Sequence, residues 1–230
     1  GARHGYRHHE SRLAEIGPAR ERLHAQVEAS EPLKKQLWQQ TVKAKIANQA
    51  AVLKRWNKET KLLINLSQNV KSGDADNYEA QAAAYYWRNY LPDAWQFFRK
   101  REGPPPNNLL NYGYSIIRAM MARALTGAGL LPALGIFHRN RYNAYCLADD
   151  IMEPYRAFAD IIVRQIIDET SHVEILTQEH KVKLLALPTV DVLINDDSSP
   201  LMIAMQRTAA SLAKCYLGES RKVLYPGIPT

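Results

Sequence analysis

The chain has 230 residues, 46% of them hydrophobic and 23% charged, enough to bury a full core without crosslinks. Lys and Arg outnumber Asp and Glu by 30 to 23, giving a formal charge of +7; this favours a polyanionic partner, nucleic acid foremost, although ordinary solvated surfaces also carry such a charge. No apolar run reaches the roughly 20 residues of a bilayer span and the first residues lack a signal-peptide core, so the expectation is a cytoplasmic protein with no membrane role. The widely separated Cys146 and Cys215 are read as reduced thiols.

Residues 1–17, rich in His, Arg and Gly, read as a flexible arm or as expression remnants, and residues 18–230 as one helical domain. A helix can start at Pro18 with Leu23 and Val27 on one stripe, ending near Ser30. Pro32 then opens a long helix in which Leu33, Leu37, Val42, Ile46, Leu53 and Trp56 recur near helical spacing, with Lys34, Lys35, Lys43 and Lys45 assigned to a basic side. Further helices are predicted over Thr60–Val70, closed by Ser72-Gly73, and over Tyr78–Leu91, stopped by Pro92.

The segment Phe97–Asn108 holds Arg99-Lys100-Arg101 and three prolines, which predict an extended, exposed connection. Leu109–Leu125 reads as a buried helix, Gly127–Phe137 as a broken apolar passage and Leu147–Thr170 as a helix interrupted at Pro154. Helices resume around Gln178–Leu185 and Ser199–Leu217. The chain shows no repeat, no Walker-type glycine loop, no Cys-x-x-Cys pair and no useful strand alternation. The expected fold is all-α, a compact multi-helix array.

Three places can carry chemistry, and each has a plain alternative. Glu79 follows Asp76 by three residues, the spacing of a helix capping box. His138 stands where the apolar Leu134-Gly135-Ile136-Phe137 meets the basic Arg139-Asn140-Arg141, and most such histidines are surface or satisfied core residues. The acids of Asp149-Asp150-x-x-Glu153 suit a helix N-terminus. Taken together, two carboxylates and an imidazole suit Mg2+ or Mn2+ with positions left for water and phosphate oxygens.

Four blocks in order carry a resemblance: Glu79-Ala80-x-Ala82-Ala83 with Tyr86-Trp87; Asn108 to Tyr114, reading NLLNYGY; Gly129-Leu130-x-Pro132-x-Leu134-Gly135-x-x-His138; and Asp150-x-Met152-Glu153-Pro154-Tyr155-Arg156. Over roughly residues 20–225 the chain resembles the CRISPR-associated integrase that installs new spacers, the universal adaptation endonuclease. The stretch Glu31–Ala47 resembles versions that accompany type II effectors.

The resemblance implies a metal-dependent DNA endonuclease and integrase acting by 3′-hydroxyl attack on a phosphodiester, with Mg2+ or Mn2+ held by Glu79, His138 and Glu153 and with Asp150 in reserve. Arg99, Lys100, Arg101, Arg139 and Arg141 are the expected phosphate contacts, and Asn111, Tyr112 and Tyr114 the expected substrate-positioning wall. Implied partners are double-stranded or branched DNA, a second copy of the full-length protein, a small ferredoxin-fold adaptation subunit and the RNA-guided effector nuclease. The resemblance implies an N-terminal β-rich domain in the family, and the expectation is that these 230 residues do not include it. The rival readings are a noncatalytic helical DNA-binding scaffold and an enzyme acting on RNA.

Overall fold

A computed structural model of the protein describes residues 17–170 and 173–229. The arm read over residues 1–17 thus lies, apart from Gly17, outside the described residues. Helix α1 runs through residues 17–27 and α2 through Glu31–Arg55. Ser30 caps α2 by accepting from the Leu33 N–H, and Pro32 sits in its first turn, where its missing N–H costs nothing. Leu37, Trp38, Val42, Ile46 and Leu53 are buried along α2, and so are the polar Thr41, Asn48 and Gln49. A helix burying polar groups must supply them with partners. Here α2 packs against α3 (Lys61–Asn69), α4 (Tyr78–Tyr90), the 3-10 turn Glu153–Tyr155 and α7 (Arg156–Glu169).

The second half of the domain is organised by α5 (Asn107–Gly127), which packs on α6 (Cys146–Ile151), α7, α8 (Gln178–Leu185) and α9 (Leu201–Tyr216). Gly113 lets α5 and α7 meet closely, since a Cβ there would stand 2.9 Å from the Ala159 Cβ. The predicted helix break at Pro154 is present: α6 ends at Ile151, a 3-10 turn carries Glu153 and Pro154, and α7 starts at Arg156. Cys146 and Cys215 are buried free thiols, and none of the described helices is long and apolar enough to cross a membrane.

The fold is mostly helical, as expected, with one addition. Asp191–Ile194 and Asp197–Pro200 form an antiparallel hairpin, Val192 and Ile194 pointing inward. Only four residues alternate, too few to register as a strand pattern, and the turn depends on Asn195 and Asp196 at φ 51° and 66°. Left-handed backbone of this kind is tolerated by Asn and Asp. The proline segment also departs from expectation. It folds back in turns instead of extending, because the buried Asn107 side chain donates to the Phe98 and Pro104 carbonyls and accepts from the Lys100 N–H.

One polar tie locks the turn that carries Glu153. Asn48 of α2 donates to the carbonyls of Pro154 (2.8 Å) and Pro226 (3.0 Å), joining the helix, the turn and the C-terminal tail. Removing the amide leaves two buried acceptors unpaired, so Asn48→Ala is expected to destabilise the fold by about 2–3 kcal/mol. Urea denaturation checks this; a loss below about 0.5 kcal/mol would show that the tie is dispensable.

Candidate active site

Three of the four motif blocks, those carrying Glu79, His138 and Glu153, pack against α2. Glu79 lies in the first turn of α4, but it is not the capping residue that the spacing from Asp76 suggests. Asp74, with φ 54°, accepts from both the Tyr78 and Glu79 N–H groups at 2.8 and 2.9 Å. With the helix start already satisfied, the Glu79 carboxylate is free to meet the Lys45 ammonium of α2 at 2.6 Å. The same ammonium stands 2.6 Å from Oε2 of Glu153, while Arg156 holds Oε1 of Glu153 at 2.7 Å.

Glu153 is buried, and its charge survives because it is compensated. Burial pushes its carboxyl upward, yet Arg156 and then Lys45 outweigh this and hold it below the ordinary value. Burial likewise opposes the Lys45 charge, and the Glu153 and Glu79 carboxylates reverse the effect. Oε2 of Glu153 and Oε1 of Glu79 thus share one ammonium at equal distance.

His138 is placed by Asp150. The Asp150 carboxylate, fully buried, accepts from the Ile136 and Phe137 N–H groups at 2.8 and 2.9 Å and from that of His138 at 3.3 Å. It also meets His138 Nδ1 at 2.5 Å. Gly135 makes this cradle possible, for a Cβ there would lie 2.3 Å from the His138 carbonyl oxygen and 2.9 Å from Asp150 Oδ2. Trp38, stacked on Phe137 with ring centroids 4.3 Å apart, meets the imidazole edge-on. A carboxylate on Nδ1 fixes the proton there and leaves Nε2 as the free nitrogen. The Asp150 hydrogen bond raises the His138 pKa against partial burial, and the Glu153 and Glu79 charges add to the rise.

Asp150 is therefore occupied behind the imidazole, and Asp149 is bound by Arg118 and Asn143. Among the described residues no three His, Cys, Asp or Glu side chains are gathered as a metal cage; Lys45 stands between the glutamates instead. The donors still fit a hard divalent ion: two carboxylates already share one cation, and the imidazole is oriented by a carboxylate as metal-binding histidines are.

The remaining predicted residues divide. Arg99 is no free surface cation: it donates to Asn107 and Asn111 at 2.8 Å and lies 5.3 Å from the Tyr114 ring centroid. It lines a cavity of about 90 Å³ with Lys45, Glu153, Arg156, Trp87 and Asp160. Lys100 and Arg101 are exposed. Arg139 forms an ion pair with Glu31 at 2.6 Å, and Arg141 bonds the Tyr142 hydroxyl. Asn111 also donates to the Arg101 carbonyl, and Tyr112 packs against the core. A wider cavity, about 1040 Å³ between α5 and α9, contains none of these residues.

Tyr114 belongs to a buried network. Its hydroxyl and that of Tyr86 donate to Asp160 at 2.5 and 2.8 Å, and Arg156 lies 4.8 Å from its ring centroid. Sequence reasoning missed Lys45, Arg156 and Asp160. For Lys45 a signal existed: it shares the α2 face of Thr41, Asn48 and Gln49, all polar and all buried.

Comparison with known proteins covers the stretch that holds these residues. The family model described as CRISPR associated protein Cas1 matches residues 11–181. The CRISPR-associated endonuclease Cas1 of Neisseria meningitidis is 44% identical over 149 residues, 64% of this chain and 48% of the relative. A second relative, CRISPR-associated endonuclease Cas1 2 of Pyrobaculum aerophilum, is 30% identical over 192 residues, 78% of this chain and 64% of its own length. The chain thus spans about half to two thirds of these relatives. A casposase bound to integration product superposes with TM-score 0.72 at 20% identity, covering 88% of this chain and 70% of that one. A chain of a partial Cas6-RT-Cas1–Cas2 complex gives 0.71 at 22% identity, covering 92% and 76%. At such identities the solved structures show a shared fold.

Two outcomes are expected from this geometry. Gly135→Ala should destabilise the protein by at least about 2 kcal/mol by driving a Cβ into the His138 carbonyl and the Asp150 cradle; a variant melting like the parent would contradict the close approach. Burial pushes the Asp160 carboxyl up to about 6 from 3.8, despite its two tyrosine hydrogen bonds. Between those values the folded protein keeps a proton that the unfolded chain releases, so this group lowers stability as pH rises, on the order of 3 kcal/mol in all. Asp160→Asn should remove that slope. Denaturation profiles that stay parallel from pH 4 to 7 would place the charge elsewhere.

Proposed function

The chain belongs to the CRISPR-associated Cas1 family, and from that premise we propose that it is the part of a DNA endonuclease and integrase that carries the catalytic centre, acting with Mg2+ or Mn2+ held by Glu79, His138 and Glu153. The observation that carries this reading is the pair of glutamates sharing one cation within the field of an imidazole whose Nδ1 is tied to a buried carboxylate. A bound ion would polarise the phosphoryl oxygen and neutralise charge on the leaving oxygen. The residues of the chain supply the rest. Asp150 keeps the His138 ring in one tautomer and one orientation, which makes it a positioning residue instead of a reserve ligand. Arg156 neutralises Glu153 and fixes its rotamer.

In the proposed reaction a DNA 3′-hydroxyl attacks the phosphorus, a new P–O bond forms as the bond to the leaving 3′-oxygen breaks, the attacker's proton passes to solvent and the leaving oxygen takes one up from solvent. With water as the attacker the same centre cleaves. Lys100, Arg101 and Arg141, exposed on two loops, are suited to backbone phosphates. Partners are proposed from what related structures contain: a casposase is bound to an integration product, and Cas1 chains occur in complexes with Cas2. Branched DNA and a small Cas2-type subunit are the partners assigned to this chain, and the longer family form is read as a homodimer that an effector nuclease can assist.

The test is cleavage of branched DNA with Mg2+ or Mn2+. His138→Ala and Glu153→Gln are expected to lose at least ~100-fold in rate while binding DNA as the parent does, and Asp150→Asn about 10–100-fold. A noncatalytic scaffold would show no metal-dependent cleavage at all, and an RNA enzyme would prefer RNA of the same shape. Neutralising Lys100, Arg101 and Arg141 together should flatten the salt dependence of binding, as fewer counterions are released; an unchanged slope would remove these loops from the DNA track.

A further inference from the structure

Among the described residues Lys45 is the one cation that touches both glutamates of the candidate site, and its position is unusual for its sequence. It lies in the middle of α2, 13% exposed, with neighbours on its helix face that are all buried. A long side chain there could have been apolar. Instead its ammonium is held 2.6 Å from Glu79 Oε1 and 2.6 Å from Glu153 Oε2.

Two carboxylates brought together in a low-dielectric setting repel, and the fold cannot close over them without a positive charge. Lys45 provides it. Lys45 holds Oε2 of Glu153, and Arg156 holds the opposite oxygen, Oε1. Loss of the ammonium would therefore leave the Glu153 carboxylate oriented, with Oε2 open. Beside Lys45 lies the cavity of about 90 Å³, lined by Gln49, Tyr114, Arg156 and Asp160, into which a flexible lysine stem can swing.

We propose that Lys45 is a built-in surrogate for the divalent ion: its ammonium holds the place between Glu79 and Glu153 in the metal-free protein and is displaced when the ion binds. This rests on the metal reading above. The surrogate keeps the acidic pair folded without metal and sets the ion's affinity by competing with it, because a group that must leave before the ligand enters subtracts its own binding from that ligand's.

The test compares the full chain with Lys45→Met and Glu153→Gln by Mn2+ titration under electron paramagnetic resonance, in parallel with melting. The Mn2+ counted is the one that Glu153→Gln abolishes, which separates it from any held by the histidines of residues 1–12. Lys45→Met should bind that Mn2+ at least ~5-fold tighter, the lower end of an ordinary coupling between sites. It should also melt at least ~5 °C lower without metal, since a buried ion pair has been broken. In the unmodified protein, acetylation of Lys45 followed by mass spectrometry should rise severalfold on saturation with Mg2+, and this measurement decides the matter if the variant fails to fold. Equal or weaker Mn2+ binding by Lys45→Met, or Lys45 labelling unchanged by Mg2+, overturns the surrogate role while leaving the metal site standing. A parent protein that binds no Mn2+ sensitive to Glu153→Gln overturns both.

Discussion

Burial of carboxylates along one stretch of chain is the constraint on which the rest of the structure depends. Asp150, Glu153 and Asp160 are all nearly or fully inaccessible, within α6, the 3-10 turn and α7. A buried carboxylate is tolerated only with partners, and each of the three recruits them from a different part of the domain. Asp150 gathers the backbone of residues 136–138, Glu153 draws Lys45 from α2 and Arg156 from the next turn, and Asp160 draws Tyr86 from α4 and Tyr114 from α5. The acids thus organise the elements around them as much as the apolar core does.

The arrangement also separates holding from reacting. Asp150 and Asp160 are consumed by hydrogen bonds, so they stabilise positions and have little left to offer a ligand. Glu79 and the free edge of His138 meet the medium, with the His138 ring about half exposed, while Glu153 lies buried between Lys45 and Arg156. Functional groups supported by a buried, satisfied shell keep their geometry when a charged substrate arrives, which electrostatic catalysis requires. The wide apolar cavity between α5 and α9 has volume without such convergent polar groups, so size alone is a poor guide to where chemistry happens in this domain.

Much of this was legible in the sequence. The helices of Glu31–Arg55, Lys61–Asn69, Tyr78–Tyr90, Asn107–Gly127, Gln178–Leu185 and Leu201–Tyr216 follow from apolar period and from Pro and Gly at their ends, both of which act over a few residues. The break at Pro154 follows from its missing N–H. The motif blocks likewise pointed to Glu79, His138 and Glu153, and the family resemblance that they carry is the one the comparison supports.

Only the tertiary structure decided what those residues touch. Lys45 reads as one more cation on a basic helix side, because local pattern registers charge but not the two carboxylates that reach it from residues 79 and 153. Glu79 reads as a cap because spacing cannot show that Asp74 has already taken the N–H groups. Arg99 reads as a surface contact, yet two asparagines and an aromatic ring turn it inward. The hairpin at residues 191–200 and the folded proline segment were hidden for the same reason: a four-residue strand and an Asn107 anchor depend on contacts made after folding. Short-range sterics and periodicity determine where helices begin and end, whereas the partner of a buried charge is set by long-range packing, which a single sequence does not encode in any local pattern.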